Sequence, residues 1–137
     1  MYKFGNRSLE KRATCHPDLQ MILDEMIKMM DISVLCGHRG EADQRQAVED
    51  GMSQVHYPNS MHNSDPSLAV DVAPYPIDWD NLKRFYYMGG MFLGIAHMLK
   101  EKGLISHNVR WGGDWDRDND LDDNRFIDLP HFELIVP

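Results

Sequence analysis

The sequence predicts an α+β fold built on a small antiparallel sheet, and three observations carry that expectation. Leu19, Ile22, Leu23, Met26, Ile27 and Met30 recur at helical spacing. Short apolar runs at 32–36, 68–73, 109–111 and 131–136 read as strands. The order is helices first, then strands mixed with helices, which favours segregated α+β packing over a repeating parallel unit.

Each element has a local reason. Ser8 is placed to cap a short first helix, and Pro17 suits the first turn of a second. The stripe from Leu19 to Met30 makes that second helix amphipathic, and its methionines read as core packing rather than a cofactor face. The strand at 32–36 puts Cys36 in the core and ends in Gly37-His38-Arg39-Gly40, a turn that leaves Arg39 at a strand end. A third helix over 41–49 stops at Gly51. After the run at 68–73, Pro74 and Pro76 end regular strand pairing. Asp78 or Asp80 caps a long helix to about Lys102, with Gly103 just past its end. Gly89-Gly90 inside it marks a kink or a close approach. Val109-Arg110-Trp111 is a strand released into a loop by Gly112-Gly113.

A chain of 137 residues without repeats or linkers is expected to form one domain, 1–137, large enough for a real core. With 42% hydrophobic and 26% charged residues it reads as globular rather than disordered. A net charge of -8 with no basic patch argues against nucleic acid and anionic membranes as partners. The opening residues lack a signal-peptide core, so synthesis in the cytosol is expected, with any export needing another agent. Cys15 and Cys36 are far apart, make no metal-type pair and read as reduced.

The chemistry concentrates in two segments. His62 follows a loop-like stretch and Asp71 sits inside an apolar run, where a carboxylate is unfavourable unless it is paired or binds a cation. Asp128 and His131 stand on a strand-like run near the C-terminus. If the two segments face each other, His62, Asp71 and His131 supply the nitrogen and oxygen ligands zinc prefers, leaving one position for water. Asp128 is then left as a base. Taken singly, each residue also has an ordinary reading: a loop histidine is usually solvated, and Asp128 can form a turn with Pro130.

In combination these residues resemble a known signature. Ser60-x-His62, Ala69-x-Asp71 and Asp128-x-x-His131-x-Glu133 are similar to the motifs of the zinc D-Ala-D-Ala carboxypeptidase and dipeptidase superfamily. Within it the chain looks most like phage endolysins that are L-alanyl-D-glutamate peptidases. Supporting likeness includes Tyr2-Lys3-Phe4-Gly5, Gly37-x-Arg39, Ala73-Pro74, Ile77-Asp78-Trp79 and Arg110-Trp111-Gly112-Gly113-Asp114-Trp115. The resemblance implies a hedgehog/DD-peptidase-like fold, with a small antiparallel sheet flanked by helices. It implies a zinc ion (Zn2+) on His62, Asp71 and His131, and Asp128 as the catalytic carboxylate. Arg39 falls where an arginine polarises the scissile carbonyl or holds a substrate carboxylate. Ser60 contacts substrate or braces the His62 loop, and Glu133 orients a ligand. The segment between His62 and Asp71 is longer than the family pattern, with Ser67 where a glycine is common. That reads as an outward bulge at Asn63-Ser64-Asp65-Pro66, and His56 is a weaker rival ligand.

Asp114, Asp116, Asp118, Asp120, Asp122 and Asp123 alternate like the start of a calcium (Ca2+) loop, but the glycine and terminal glutamate of an EF-hand are missing. A calcium site and a solvated acidic loop both remain open. His16, His38, His97 and His107 show no pairing in the sequence and receive no function. The expected activity is hydrolysis of the L-Ala-D-Glu bond in bacterial peptidoglycan by a monomeric endolysin, released to the wall with a holin. The alternatives are a D-Ala-D-Ala carboxypeptidase or dipeptidase on the same site, and a non-catalytic metal-binding module.

Overall fold

The computed structural model describes residues 1–122 and 127–136, so Asp123 of the acidic loop lies outside the described residues. Helices α1 (Asn6–Ala13) and α2 (Pro17–Met29) lead into β1 (Ile32–Cys36) and α3 (Glu41–Glu49). A single 3-10 turn, Met61–Asn63, precedes β2 (Ala69–Pro74), and α4 (Leu82–Glu101) leads to β3 (Asn108–Gly112) and β4 (Asp128–Ile135). The four strands form one sheet in the order β1-β2-β4-β3, and each neighbouring pair is antiparallel. This is the α+β architecture expected from the sequence.

Strand alternation divides the sheet into two faces. Val34, Val70, Val72, Val109, Trp111, Phe132 and Leu134 belong to one buried apolar cluster with α2 and α4. Asp71, Arg110, His131 and Glu133 occupy the opposite parity and form the other face. Burial on the helix side is dense and aromatic. Phe92 of α4 stacks on Phe132 with centroids 3.8 Å apart, and Trp111 lies parallel to the same ring at 6.2 Å. Gly89 lets α4 approach the sheet: a Cβ there would overlap the Trp111 ring. The glycine pair therefore marks close packing, and the helix runs through it without a break.

Several local expectations change in three dimensions. Ser8 is not a cap. It is buried within α1, and its hydroxyl accepts the Val34 N–H at 3.0 Å, satisfying a donor of the edge strand β1. Gly5 takes the N-cap position instead. Asn81, not Asp78 or Asp80, precedes α4, while Asp78 accepts the Asp80 N–H at 3.1 Å in its own turn. Pro74 remains inside β2 opposite Ile32, tolerated because it is the last residue of the strand and lies beyond the stretch 69–71 that pairs with β4. The last strand starts at Asp128 rather than His131, which places the carboxylate and the imidazole on one rigid element.

The glycine pair gives a direct test of packing. Gly89→Ala should destabilise by about 1–3 kcal/mol through overlap with Trp111. Gly90→Ala, on an exposed helical position with open space, should stabilise by about 0.5–1 kcal/mol. Urea unfolding of the two variants measures both signs.

Candidate active site

Sheet register brings the site together. Asp71 of β2 stands between Cys36 of β1 and His131 of β4, each directly opposite it. Cys36 reaches this row because the β1–β2 pairing shifts between Val34 and Cys36. Simple alternation with Ile32 and Val34 would have put Cys36 on the core face. The irregularity turns it to the cleft, correcting its expected place in the core.

His62 arrives from the 3-10 turn. Ser60 Oγ accepts the His62 N–H at 3.2 Å, and Asn63 Oδ1 accepts the Ser60 N–H at 3.0 Å, a reciprocal cap that fixes the turn. Of the two roles expected for Ser60, this geometry supplies the brace. The turn is tied to the one at 37–40: the Arg39 N–H donates to His62 O at 2.7 Å, and Asn63 Nδ2 donates to Arg39 O at 3.0 Å. The longer segment runs past the site at Asp65 and Pro66, both exposed. Ser67 is buried, with its hydroxyl donating to Ala69 O at 2.6 Å.

Asp71 Oδ1 is 3.2 Å from His62 Nε2 and 3.2 Å from His131 Nδ1. A tetrahedral ion with bonds of about 2.0–2.1 Å separates its ligand atoms by roughly 3.3 Å. The opposite ring nitrogens are also held. His62 Nδ1 is 2.7 Å from Gly37 O and His131 Nε2 is 2.8 Å from Glu133 Oε1. Both partners accept, so those nitrogens carry the protons, and the inward nitrogens offer lone pairs when the rings are neutral. In number, type and spacing the three groups fit a zinc-type ion. Cys36, His62 and Asp71 likewise bring one ligand atom each within 4.8 Å of one another.

Proton affinities record how tightly this cluster is coupled. Burial penalises the imidazolium of His62, but the hydrogen bonds and charges of Asp71 and Cys36 outweigh it and raise the group to about 10. Burial opposes charge on His131 too, yet Asp71 and Glu133 lift it to about 9. Burial would raise Asp71, but the two imidazoles hold it far below the usual carboxylate range. Asp128 moves the other way. Burial and the charge of Asp71 push it up to about 6, against the opposing pull of His131, His62 and Arg39.

Arg39 makes no surface ion pair. Its side chain is only 11% exposed, with Nη2 3.4 Å from Asp71 Oδ2 and Nη1 donating to Gln44 Oε1 at 3.0 Å. Gln44 is fully buried, and its amide also donates to Ser53 Oγ at 3.0 Å and Val55 O at 2.6 Å. Nothing in the helical pattern of α3 singled it out. Glu133 is buried and bridges His131 to Arg110 Nη2, at 2.7 Å from the latter. Arg39, His62, Asp71, Arg110, His131 and Glu133 line the floor of a cleft of about 940 Å³, walled by Met52, Val55, Met61, Trp79, Leu82 and Ile127, with Gln44 behind it.

In the acidic loop, Asp114 is buried and its two oxygens accept the Asp118 and Asn119 N–H groups at 3.3 and 2.9 Å. Asp114, Asp116 and Asp118 converge to within 4.8 Å. Asp120 and Asp122 stand apart from that group: Asp118 accepts the Asp120 N–H and Asp120 accepts the Asp122 N–H. His56 is exposed and does not line the cleft. Three of the histidines without an expected partner, His16, His38 and His107, do have partners. His107 Nδ1 lies 2.8 Å from Asp18 Oδ2, and His16 accepts the Asp18 N–H and meets His107 edge-on at 4.9 Å. His38 Nδ1 is 2.9 Å from Ser64 O. Spacing along the chain gave no sign of the first pairing, since residues 18 and 107 meet only through the tertiary fold.

The antiparallel α+β sheet thus carries a metal-type His–Asp–His cluster at the floor of a cleft. The chain is similar over 98% of its length to the crystal structure of the Serratia marcescens L-Ala D-Glu endopeptidase ChiX. The match covers 91% of that chain, at 28% identity and a TM-score of 0.67. The family model of the phage L-alanyl-D-glutamate peptidases matches residues 1–135, and the chain belongs to that family. No curated protein sequence matches it.

The elevated histidines set a pH signature for the chelated protein. Their stabilisation is complete below the ordinary histidine value of 6.5 and is lost as pH rises through about 9 for His131 and about 10 for His62. Asp71 is depressed, so its share is present above 3.8 and lost in acid. Thermal melts in chelator should therefore fall steadily from neutral pH towards pH 10. An ion held by these groups would compete with the same protons, so the affinity measured for added zinc should rise over that range.

Proposed function

We propose that residues 1–137 act as one monomeric, zinc-dependent catalytic unit that hydrolyses the L-Ala-D-Glu bond of peptidoglycan stem peptides. The observation that carries this reading is the convergence of His62 and His131 on one oxygen of Asp71. In it His62, Asp71 and His131 hold the ion, which when bound would polarise the scissile carbonyl and acidify a water.

The chain's own groups do the rest. Asp128 takes the proton of the attacking water and returns it to the departing amine of D-glutamate. Its affinity near 6 suits both steps, since it is a base at neutral pH and a usable acid once protonated. Arg39 steadies the oxyanion with its fixed charge, and Gln44 keeps the guanidinium in place. Glu133 holds His131, and Ser60 holds the turn that carries His62. Synthesis in the host cytoplasm and release to the wall through a holin complete the endolysin reading. No helix of the described residues is long and apolar enough to cross a membrane.

Peptidoglycan digestion by wild type and Asp128→Ala, with zinc content and product masses measured, tests the assignment. Both should hold zinc, only wild type should release fragments ending in L-Ala, and the loss should be about 10²- to 10⁴-fold. The acid limb of wild-type kcat/KM should lie at or below about 6, because a bound cation lowers Asp128 further. Zinc binding without cleavage of any stem peptide would sink the catalytic reading. Release of terminal D-Ala instead would move the substrate to the D-Ala-D-Ala end.

Calcium on Asp114, Asp116 and Asp118 belongs to the same proposal, as an ion that orders the loop beside the cleft. It predicts a calcium-induced rise in melting temperature that Asp116→Asn reduces. Melting curves that calcium leaves unmoved would remove this ion from the scheme.

A further inference from the structure

A second arginine on the cleft floor has no part in the chemistry above. Arg110 of β3 stands opposite Glu133 of β4, and its Nη2 donates to Glu133 Oε2 at 2.7 Å. The Trp115 ring packs over the guanidinium at 5.7 Å and lies 5.4 Å from the His131 ring. Nε is buried and has no hydrogen-bond partner among the described residues. Nε is closed to a ligand's approach, but a guanidinium has five N–H donors and Glu133 takes up only part of that capacity. The side chain is 39% exposed and lines the cleft, so part of the guanidinium remains within reach of a ligand.

Charge inventory narrows the acceptor. Arg39 and Arg110 are the only lysine or arginine residues among the described residues that line the cleft. Arg39 is already held by Asp71, Cys36 and Gln44. A glutamyl residue joined to alanine through its nitrogen, and onward through one carboxyl, keeps its other carboxylate free beside the scissile amide. Glu133 bridges Arg110 and His131, so this arginine stands one carboxylate away from a proposed metal ligand, beside the scissile bond of the proposed reaction. We propose that Arg110 is the subsite for the free carboxylate of the D-glutamyl residue, and so selects acidic over amidated stem peptides. The fixed fork of a guanidinium suits a planar carboxylate, and Trp115 and Glu133 hold it in place.

This inference rests on the proposed L-Ala-D-Glu specificity, and the test separates the two. L-Ala-γ-D-Glu-L-Lys and its α-amide are compared as substrates for wild type, Arg110→Gln and Arg110→Lys, with zinc content measured. Calorimetry of the product-side peptides γ-D-Glu-L-Lys and its α-amide reads binding without catalysis. Wild type should prefer the acid by about 10- to 100-fold, mainly through KM and peptide affinity. Arg110→Gln should bring the acid down to the level of the amide, and Arg110→Lys should keep part of the preference. A damaged metal site would instead lower both substrates alike and leave the calorimetric preference intact. Wild type without an acid preference in binding, or a preference that survives Arg110→Gln, would overturn the subsite. Cleavage of neither peptide by wild type would instead overturn the specificity on which it rests.

Discussion

One carboxylate placed inside a buried strand governs the architecture of the cleft. Asp71 stands between Val70 and Val72, both fully buried, where an unpaired charge would be strongly unfavourable. Its two oxygens are satisfied by His62, His131 and Arg39, which come from a 3-10 turn, from β4 and from the turn after β1. Each partner then needs support of its own. Gly37 O holds His62, Glu133 holds His131 and Gln44 holds Arg39, so the consequences of one partly buried charge spread through the polar groups around the cleft. The close fit of Gly37 against Lys11 and Thr14 carries that chain of dependence to the end of α1.

The charge count shows that protons and a dication would be electrostatically equivalent occupants of this cluster. With both imidazoles protonated and Asp71 ionised, the cluster carries one net positive charge. A dication on the same carboxylate with two neutral imidazoles carries the same. Exchange of protons for metal thus leaves the local electrostatics nearly constant, and the surrounding fold has no reason to rearrange. The 3.2 Å separation of each inward ring nitrogen from Asp71 Oδ1 suits either occupant.

Local rules read most of the scaffold from the sequence. The bounds of β1 and α3 agree with it, as does the end of α4 before Gly103, because helical stripes, strand runs and glycine stops act over a few residues. The hydrophobic run around Asp71 advertised a paired or ion-bound carboxylate, and the motif residues His62, Asp71 and His131 do converge. What escaped depends on contacts between distant segments. Ser8 looked like a cap because its acceptor role toward Val34 is set by packing of α1 on β1. Cys36 looked like core because a register shift is invisible to alternation. Gln44, Arg110 and the His16–Asp18–His107 group carry no periodic signature, and only the assembled sheet and helices give them their partners.

The floor of the cleft belongs to the sheet, while its walls come largely from connecting segments. Met52 and Val55 stand on one connection and Trp79 on another, all exposed, whereas His131 and Glu133 are fixed on a strand beneath them. A change of sequence in those connections leaves strand register untouched, because no ladder hydrogen bond passes through them. The cleft therefore rests on a floor fixed by strand register and is bounded by side chains that pairing does not constrain. Substitutions confined to the tips at Met52, Val55 and Trp79 can reshape the mouth of the cleft while the register beneath it stays as it is.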